Sequence, residues 1–132
     1  MQTAAKPARK TLATAGNILY AEHDPNVLAQ QSELFERAGY SVERAQGRKA
    51  AEQALRNHHY DAVVLGHTLN KDDRHHLPYM AKKANVEVAV LVLHASGKHP
   101  AVDFAMDSRE GDKAVLAMLN SLVEEKALAA VS

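Results

Sequence analysis

Short apolar runs recur along the chain, each bounded by polar residues or glycine. Their length and their β-branched residues are typical of buried strands. Two of them, 62–65 and 88–93, are uninterrupted, which is usual for strands covered on both faces. The segment 40–45 alternates between apolar and polar residues and indicates a half-buried strand. We therefore predict strands at 17–21, 40–45, 62–65, 88–93 and 101–106.

Between these runs, apolar residues recur every three or four positions, which is the spacing of amphipathic helices. The first helix has clear end signals, because Asp24 is placed as its N-cap, Pro25 as its first residue and Gly39 just past its end. Ser108 is placed as the N-cap of a closing helix. We predict helices from Pro25 to Ala38, over 48–58, over 73–84 and from Ser108 onward.

The alternation of strands and helices predicts βαβ units around a parallel sheet. Because crossovers are right-handed, helices should cover both faces of that sheet. Two continuous central strands and a more polar edge strand favour a single α/β domain of the flavodoxin-like type, with five strands in the order 2-1-3-4-5. The connection after the fourth strand has only about eight residues, too few for a full crossover helix. We therefore expect the fourth helix to be shortened or missing.

Length and composition limit the possible classes of protein. The 132 residues fit one domain, which we place at 17–131 after a disordered basic arm at 1–16. The absence of cysteine excludes disulfides, thiolate metal sites and cysteine nucleophiles. No apolar run approaches the roughly 18 residues that span a membrane, and the arm lacks the apolar stretch of a secretory signal. We expect a cytoplasmic protein with no membrane partner.

The charge balance argues against binding to nucleic acid. The formal net charge is zero, and Lys6, Arg9 and Lys10 place three positive charges in the arm. The rest of the chain therefore carries about −3, whereas a nucleic-acid-binding domain usually has a basic surface.

Three strands that are adjacent in the predicted order end in polar residues or glycine. In an open α/β sheet, ligands bind just beyond the carboxyl ends of the strands, where the strand order reverses. We therefore expect one pocket to be lined by residues from all three strand ends. They are Glu22, His23 and Asp24 after the first strand, Gly66 and His67 after the third, and His94 after the fourth.

The segment from Ile18 to Gly66 resembles the first half of the receiver domain of response regulators. The shared pattern begins with ILYAEHDP, a strand and an acidic cluster followed by proline, and continues with a helix that ends in Gly-Tyr. An alanine-rich helix and the strand YDAVVLG follow, up to the position that is phosphorylated in receivers. The resemblance extends over residues 17–124 and implies a CheY-like fold and a role in two-component signal transduction.

The resemblance also implies a set of reacting positions, and most of them are replaced. Receivers hold Mg²⁺ with an acidic pair that is Glu22 and His23 here, and Gly66 stands where the phospho-accepting aspartate would be. His94 replaces the switch serine or threonine, and Asp107 replaces a lysine. This phosphoryl transfer needs a carboxylate nucleophile, a divalent cation and a cationic partner. We therefore expect a degenerate receiver, or pseudo-receiver, that is not phosphorylated by this route.

These observations lead to two hypotheses of function. The favoured one is a phosphorylation-independent signalling module that binds another protein, such as a kinase or a regulator, and that is neither an enzyme nor dependent on a cofactor. The alternative is a sensor that binds a small ligand or a metal ion in the vacated pocket. Its candidate metal ligands are Glu22, His23, Asp24 and His94. The histidines lack the i, i+4 spacing of a metal-ligand motif, which favours the first hypothesis.

The end of the chain provides a candidate interface. A shortened fourth crossover would leave part of the last strands uncovered, and exposed strand surface favours association. The closing helix has an apolar face that continues into the run KALAAV. We expect a protein partner, or a second copy in a homodimer, to contact the last strand at Val102 and the closing helix at Leu122.

Overall fold

A five-stranded parallel sheet forms the centre of the molecule. The computed structural model describes residues 16–93, 102–106 and 111–131, with the side chains of the last segment described as far as residue 125. The strands lie in the order β2-β1-β3-β4-β5, and each adjacent pair is parallel. They are β1 (Gly16–Glu22), β2 (Tyr40–Gln46), β3 (Ala62–Leu65), β4 (Ala89–Val92) and β5 (Phe104–Ala105). The predicted fold class, strand number and strand order are confirmed.

Helices cover both faces of the sheet, as predicted. In the described part of the chain, α1 (Pro25–Arg37) and α4 (Asp112–Val131) pack on one face. On the other face lie α2 (Gly47–Asn57) and α3 (Lys71–Ala84). The described chain has a fourth helix, α4, which follows β5. The prediction of a shortened or missing helix concerns the connection from β4 to β5, and residues 94–101 of that connection lie outside the described residues, as do residues 1–15.

The side chains of the central strands alternate between the two helical layers. Leu19, Val63 and Val90 point toward α2 and α3, whereas their neighbours Tyr20, Val64 and Leu91 point toward α1 and α4. All six side chains are fully buried. Because both faces of β3 and β4 are covered, every residue of these strands is apolar, which explains the unbroken apolar runs of the sequence.

The first helix begins as its sequence signals indicate. The Asp24 carboxylate accepts hydrogen bonds from the backbone N–H groups of Asn26 and Val27, at 2.8 and 3.4 Å. Pro25 is the first helical residue, where its missing N–H costs no helical hydrogen bond. Gly39 follows the helix with φ of +106°, a left-handed conformation that favours glycine and stops the helix.

The starts of β1 and of α4 differ from the sequence-based expectation. β1 begins at Gly16, so the sheet includes the last residue of the predicted arm. The described helix α4 begins at Asp112 instead of near Ser108, which lies outside the described residues. The reason is Gly111, whose φ of +104° is incompatible with a right-handed helix and places the helix start after it.

A side-chain clamp holds the two-residue strand β5 against the sheet. One carboxylate oxygen of Asp103 accepts the Val90 N–H at 2.7 Å and the Lys82 ammonium at 2.8 Å. Lys82 also donates to the carbonyl of Val88 at 2.6 Å, which ties the end of α3 to the start of β4. These contacts compensate for the few backbone hydrogen bonds that so short a strand can make.

Candidate functional site

The carboxyl ends of β1 and β3 lie side by side. Ala21 pairs with Leu65, so the next residues, Glu22 and Gly66, are neighbours across the two strands. The N–H of Gly66 donates to the carbonyl of Ala21 at 2.9 Å. β1 lies between β2 and β3, and this position is the point where the strand order reverses.

Glu22 is fully buried at this point, and three donors contact its carboxylate. Oε1 accepts the backbone N–H of Thr68 at 2.9 Å and also the Thr68 hydroxyl. Oε2 accepts the hydroxyl of Tyr20. A buried carboxylate is stable only when its oxygens are hydrogen-bonded, and here both oxygens are.

Gly66 leaves the space that the Glu22 side chain occupies. A Cβ atom at position 66 would lie 1.8 Å from Cδ of Glu22 and 1.9 Å from its Oε2. These distances are far shorter than any non-bonded contact, so this position of Glu22 requires glycine at 66. The φ angle of Gly66 is not positive, and the requirement is therefore steric and not conformational.

Thr68 connects the loop after β3 to the loop after β1. Its hydroxyl oxygen accepts the backbone N–H groups of His23 at 2.8 Å and Asp24 at 3.1 Å. Because both of these groups are donors, the hydroxyl proton points to Glu22, and the hydroxyl is fully used. Thr68 therefore joins the two loops by its hydrogen bonds to His23 and Asp24, and its hydrogen bond to Glu22 orients the hydroxyl.

Tyr20 supports the carboxylate from within the core. Its ring is fully buried and meets the ring of Phe35 edge to face, with the centroids 5.2 Å apart. Burial, together with the neighbouring Glu22 carboxylate, raises the pKa of Tyr20 above its ordinary value. The hydroxyl is therefore protonated at neutral pH and acts as a donor.

The other described residues of the predicted pocket lie at its rim or have structural roles. His67 is exposed, with Nδ1 4.0 Å from Oε2 of Glu22, and His23 is also exposed. Asp24 is occupied as the N-cap of α1. The remaining two predicted residues, His94 and Asp107, lie outside the described residues.

Tyr20 and Thr68 were not among the residues predicted for this site. Tyr20 belongs to the apolar run of β1, where a buried tyrosine is ordinary, and Thr68 lies one position beyond His67, the last predicted pocket residue after β3. The only signal that could have identified them is the inward direction of the Glu22 side chain, which the sequence does not show.

In the described part of the site, Glu22 is an enclosed carboxylate, and neither Gly66 nor Glu22 offers an accessible nucleophile. Gly66 has no side chain, and both oxygens of Glu22 already accept protein hydrogen bonds. Within residues 16–93, 102–106 and 111–125, no group of three or more His, Cys, Asp or Glu side chains is placed to hold a metal ion. None of the helices in the described part of the chain has the length and apolar character that a membrane span needs.

The two predicted interface residues lie on opposite faces of the sheet. Val102 is half-buried against the layer of α2 and α3, and Leu122 is half-buried against the layer of α1 and α4. Phe104 on β5 is more accessible, with 39% of its surface exposed. It pairs with Leu91 and therefore points to the same face as α4.

A second concave surface lies at the opposite end of the sheet, where β1 and β2 begin. It is a depression of about 210 Å³ whose lining includes Ser41, Glu43, His58 and His59. The hydroxyl of Tyr60 donates to Glu43 at its edge, at 3.5 Å. This surface is distant from the pocket at Glu22, because the two lie at opposite ends of the same strands.

Comparison with solved structures relates this arrangement to known folds. A response regulator receiver domain protein (CheY-like) from Methanospirillum hungatei JF-1 has a TM-score of 0.75 and 16% identity, over 86% of this chain and 97% of that chain. FixJ from B. japonicum has a TM-score of 0.73 and 20% identity, over 89% of this chain and 62% of that chain. The response regulator TrrA from Thermotoga maritima, in complex with Mg²⁺-BeF, has a TM-score of 0.70 and 17% identity, over 80% and 97%.

These similarities establish a CheY-like receiver fold for the chain. At such low identity they show the fold alone. No protein-family model matches the sequence, and no curated protein sequence matches it significantly.

Proposed function

We propose that the chain is a signalling module with a receiver fold that works without phosphorylation and acts by binding another protein. One observation carries the proposal: the Glu22 side chain occupies the space beside Gly66. The resemblance to receivers places the phospho-accepting aspartate at position 66. That position here has neither a nucleophile nor the volume for one.

The state of the acidic residues supports the proposal. Mg²⁺ requires several oxygen ligands in near-octahedral geometry. Glu22 directs both oxygens to Tyr20 and Thr68, and Asp24 directs its carboxylate to the first turn of α1. Neither carboxylate is available for a metal ion without loss of these hydrogen bonds.

In this proposal the chain functions in the cytoplasm, catalyses no reaction and needs no cofactor. Its partner is a protein, such as a signalling kinase or a regulator, and the docking surface lies on the side of β5 and α4. Phe104 and Leu122 are apolar residues on that side, Val102 lies on the other face of the same edge of the sheet, and β5 is an edge strand of the described sheet. The alternative of a sensor is not favoured, because Glu22 fills the pocket that a ligand would use.

The proposal is tested with phosphodonors. The purified chain is incubated with acetyl phosphate and Mg²⁺, and separately with beryllofluoride and Mg²⁺, with the Thermotoga maritima receiver TrrA as a positive control. We expect an unchanged intact mass and unchanged amide chemical shifts for Gly66 and Thr68. A mass gain of one phosphate on a carboxylate of this pocket would show that the proposal is wrong.

A further inference from the structure

Hydrogen-bond donors from two separate segments converge on one enclosed point of the fold. The Tyr20 hydroxyl comes from β1, and the N–H and hydroxyl groups of Thr68 come from the loop after β3. Donors that converge in a site of low dielectric constant form a binding site for an oxyanion, because each hydrogen bond to a charged acceptor is strong there.

We propose that this pocket is a binding site for a small carboxylate-like oxyanion and that Glu22 is its covalently attached ligand. The Glu22 side chain is thus an internal plug that holds the loops after β1 and β3 together. The inference depends only on the geometry of the pocket and does not require the proposed function.

The surroundings of Glu22 support this assignment. Burial of a carboxylate is costly unless donors or a cation compensate the charge. In the described residues, no lysine or arginine forms an ion pair with Glu22, and Nδ1 of the His67 ring lies 4.0 Å from Oε2 of Glu22, beyond hydrogen-bond distance. Neutral donors of the pocket therefore provide the stabilisation, as they would for a bound oxyanion.

The plug also determines how the two loops are joined. The Thr68 hydroxyl donates to Glu22 and accepts the N–H groups of His23 and Asp24 at the same time. When the plug is removed, the hydroxyl loses the acceptor that orients it. The loops should then separate more easily, and an oxyanion that fills the pocket should bring them together again.

The experiment replaces the plug by a free anion. Glu22→Ala removes a methylene and a carboxylate, which together correspond to acetate. Thermal midpoints are measured in sodium acetate, in sodium chloride of equal ionic strength, and in acetamide as a neutral compound of the same shape. We expect acetate to raise the midpoint of Glu22→Ala by about 3 °C or more above chloride. Acetamide should not, and the parent protein should show no such selectivity.

Three further variants test the donors. The double variant Glu22→Ala with Thr68→Val keeps the shape of position 68 but lacks its hydroxyl, and we expect acetate to have little effect on it. In the parent background, Thr68→Val should lower the thermal midpoint and shift the amide signals of His23 and Asp24. Thr68→Ser keeps the hydroxyl and should leave the midpoint and these signals close to those of the parent protein. This second test remains informative if Glu22→Ala does not fold.

Several outcomes would overturn the inference. Acetate could act on Glu22→Ala no better than chloride, the double variant could respond equally well, or Thr68→Val could melt with the parent. If any of these is found while acetyl phosphate still leaves the chain unmodified, the internal ligand is disproved and the proposed function is unaffected.

Discussion

Glu22 and Gly66 are coupled, because the observed position of the Glu22 side chain is possible only with glycine at position 66. The Glu22 carboxylate lies where a side chain at position 66 would be, and its donors come from Tyr20 and Thr68. Replacing a single member of this group should therefore affect the others, which makes the energetic coupling between positions 22 and 66 measurable.

The first prediction concerns this coupling. Gly66→Ala adds one methyl group that overlaps the Glu22 carboxylate, and we expect it to lower the free energy of unfolding by about 1–3 kcal/mol. In a Glu22→Ala background the same change should be nearly neutral, so that a double-mutant cycle gives a coupling of about 1 kcal/mol or more. Urea denaturation measures both values. Equal effects of Gly66→Ala in the two backgrounds would contradict the observed position of Glu22.

The second prediction concerns Tyr40, whose hydroxyl donates to the side-chain oxygen of Asn120 on α4. Burial, with a smaller effect of the Glu124 carboxylate, raises the pKa of Tyr40 to about 12. The folded state therefore keeps the proton at a pH where the unfolded chain, with a pKa of about 10, loses it. Stability from this group is complete below about pH 10 and falls as the pH rises toward 12.

We expect the free energy of unfolding to decrease between about pH 10 and about pH 12, the range that these pKa values define. Tyr40→Phe should weaken this decrease but not abolish it, because burial also raises the pKa of Tyr60 to about 12. Tyr79→Phe, at an exposed tyrosine, is the matched control. If Tyr40→Phe shows the same dependence on pH as the control, the buried position of the Tyr40 hydroxyl is wrong.

Among the secondary structure elements, β3 and β4 form the centre of the hydrophobic core. All their side chains are buried, and the predicted core residues of these strands are confirmed. The strands differ in the contacts that hold them in the sheet. β3 pairs with a strand on each side, whereas in the described sheet β5 pairs with β4 alone, through two residues, and is also held by the hydrogen bonds of Asp103. The centre of the sheet should therefore be more sensitive to truncation of side chains than its edge.

The third prediction tests the centre of the sheet. Leu65 is fully buried at the end of β3, and Leu65→Ala should lower the free energy of unfolding by about 2–5 kcal/mol, because it leaves a cavity between the sheet and the layer of α2 and α3. Val86→Ala, at a side chain that is 76% exposed, should change it by less than about 0.5 kcal/mol. Thermal or urea denaturation distinguishes the two. Similar values for both variants would disprove the strand assignment.

At the level of the whole molecule, the two sheet faces carry different helices and offer different surfaces. Val102 and Leu122 lie on opposite faces and are both half-buried, so a charge at either position would disturb the core as well as an interface. Phe104 is the better probe of the proposed docking surface, because it is on an edge strand and is partly exposed.

The fourth prediction uses this probe and takes a second copy of the chain as the occupant. Light scattering across micromolar concentrations should show an apparent mass that increases with concentration for the parent protein. Phe104→Glu should abolish the increase, because it places a charge in an apolar contact. Val86→Glu introduces the same charge at another exposed apolar residue and should leave the increase unchanged. A parent that remains monomeric throughout would contradict the homodimer.

Much of the fold was predictable because its signals are local. The unbroken apolar runs identified the buried strands β3 and β4, and Asp24, Pro25 and Gly39 marked the ends of α1. Each of these signals depends on a period or a cap within a few residues. The strand order followed from the same signals, since continuous apolar strands belong at the centre of a parallel sheet and a more polar one at its edge.

Amino-acid identity alone also established that position 66 has no nucleophile, because glycine has no side chain in any fold. Tertiary structure alone decided what fills the space beside it. The carboxylate of Glu22 turns inward to donors on Thr68, which is 46 positions away in the chain, and to Tyr20 within the same strand. The direction of a side chain at a strand end depends on the volume and the donors that the neighbouring strand provides. That volume exists only after β1 and β3 have paired.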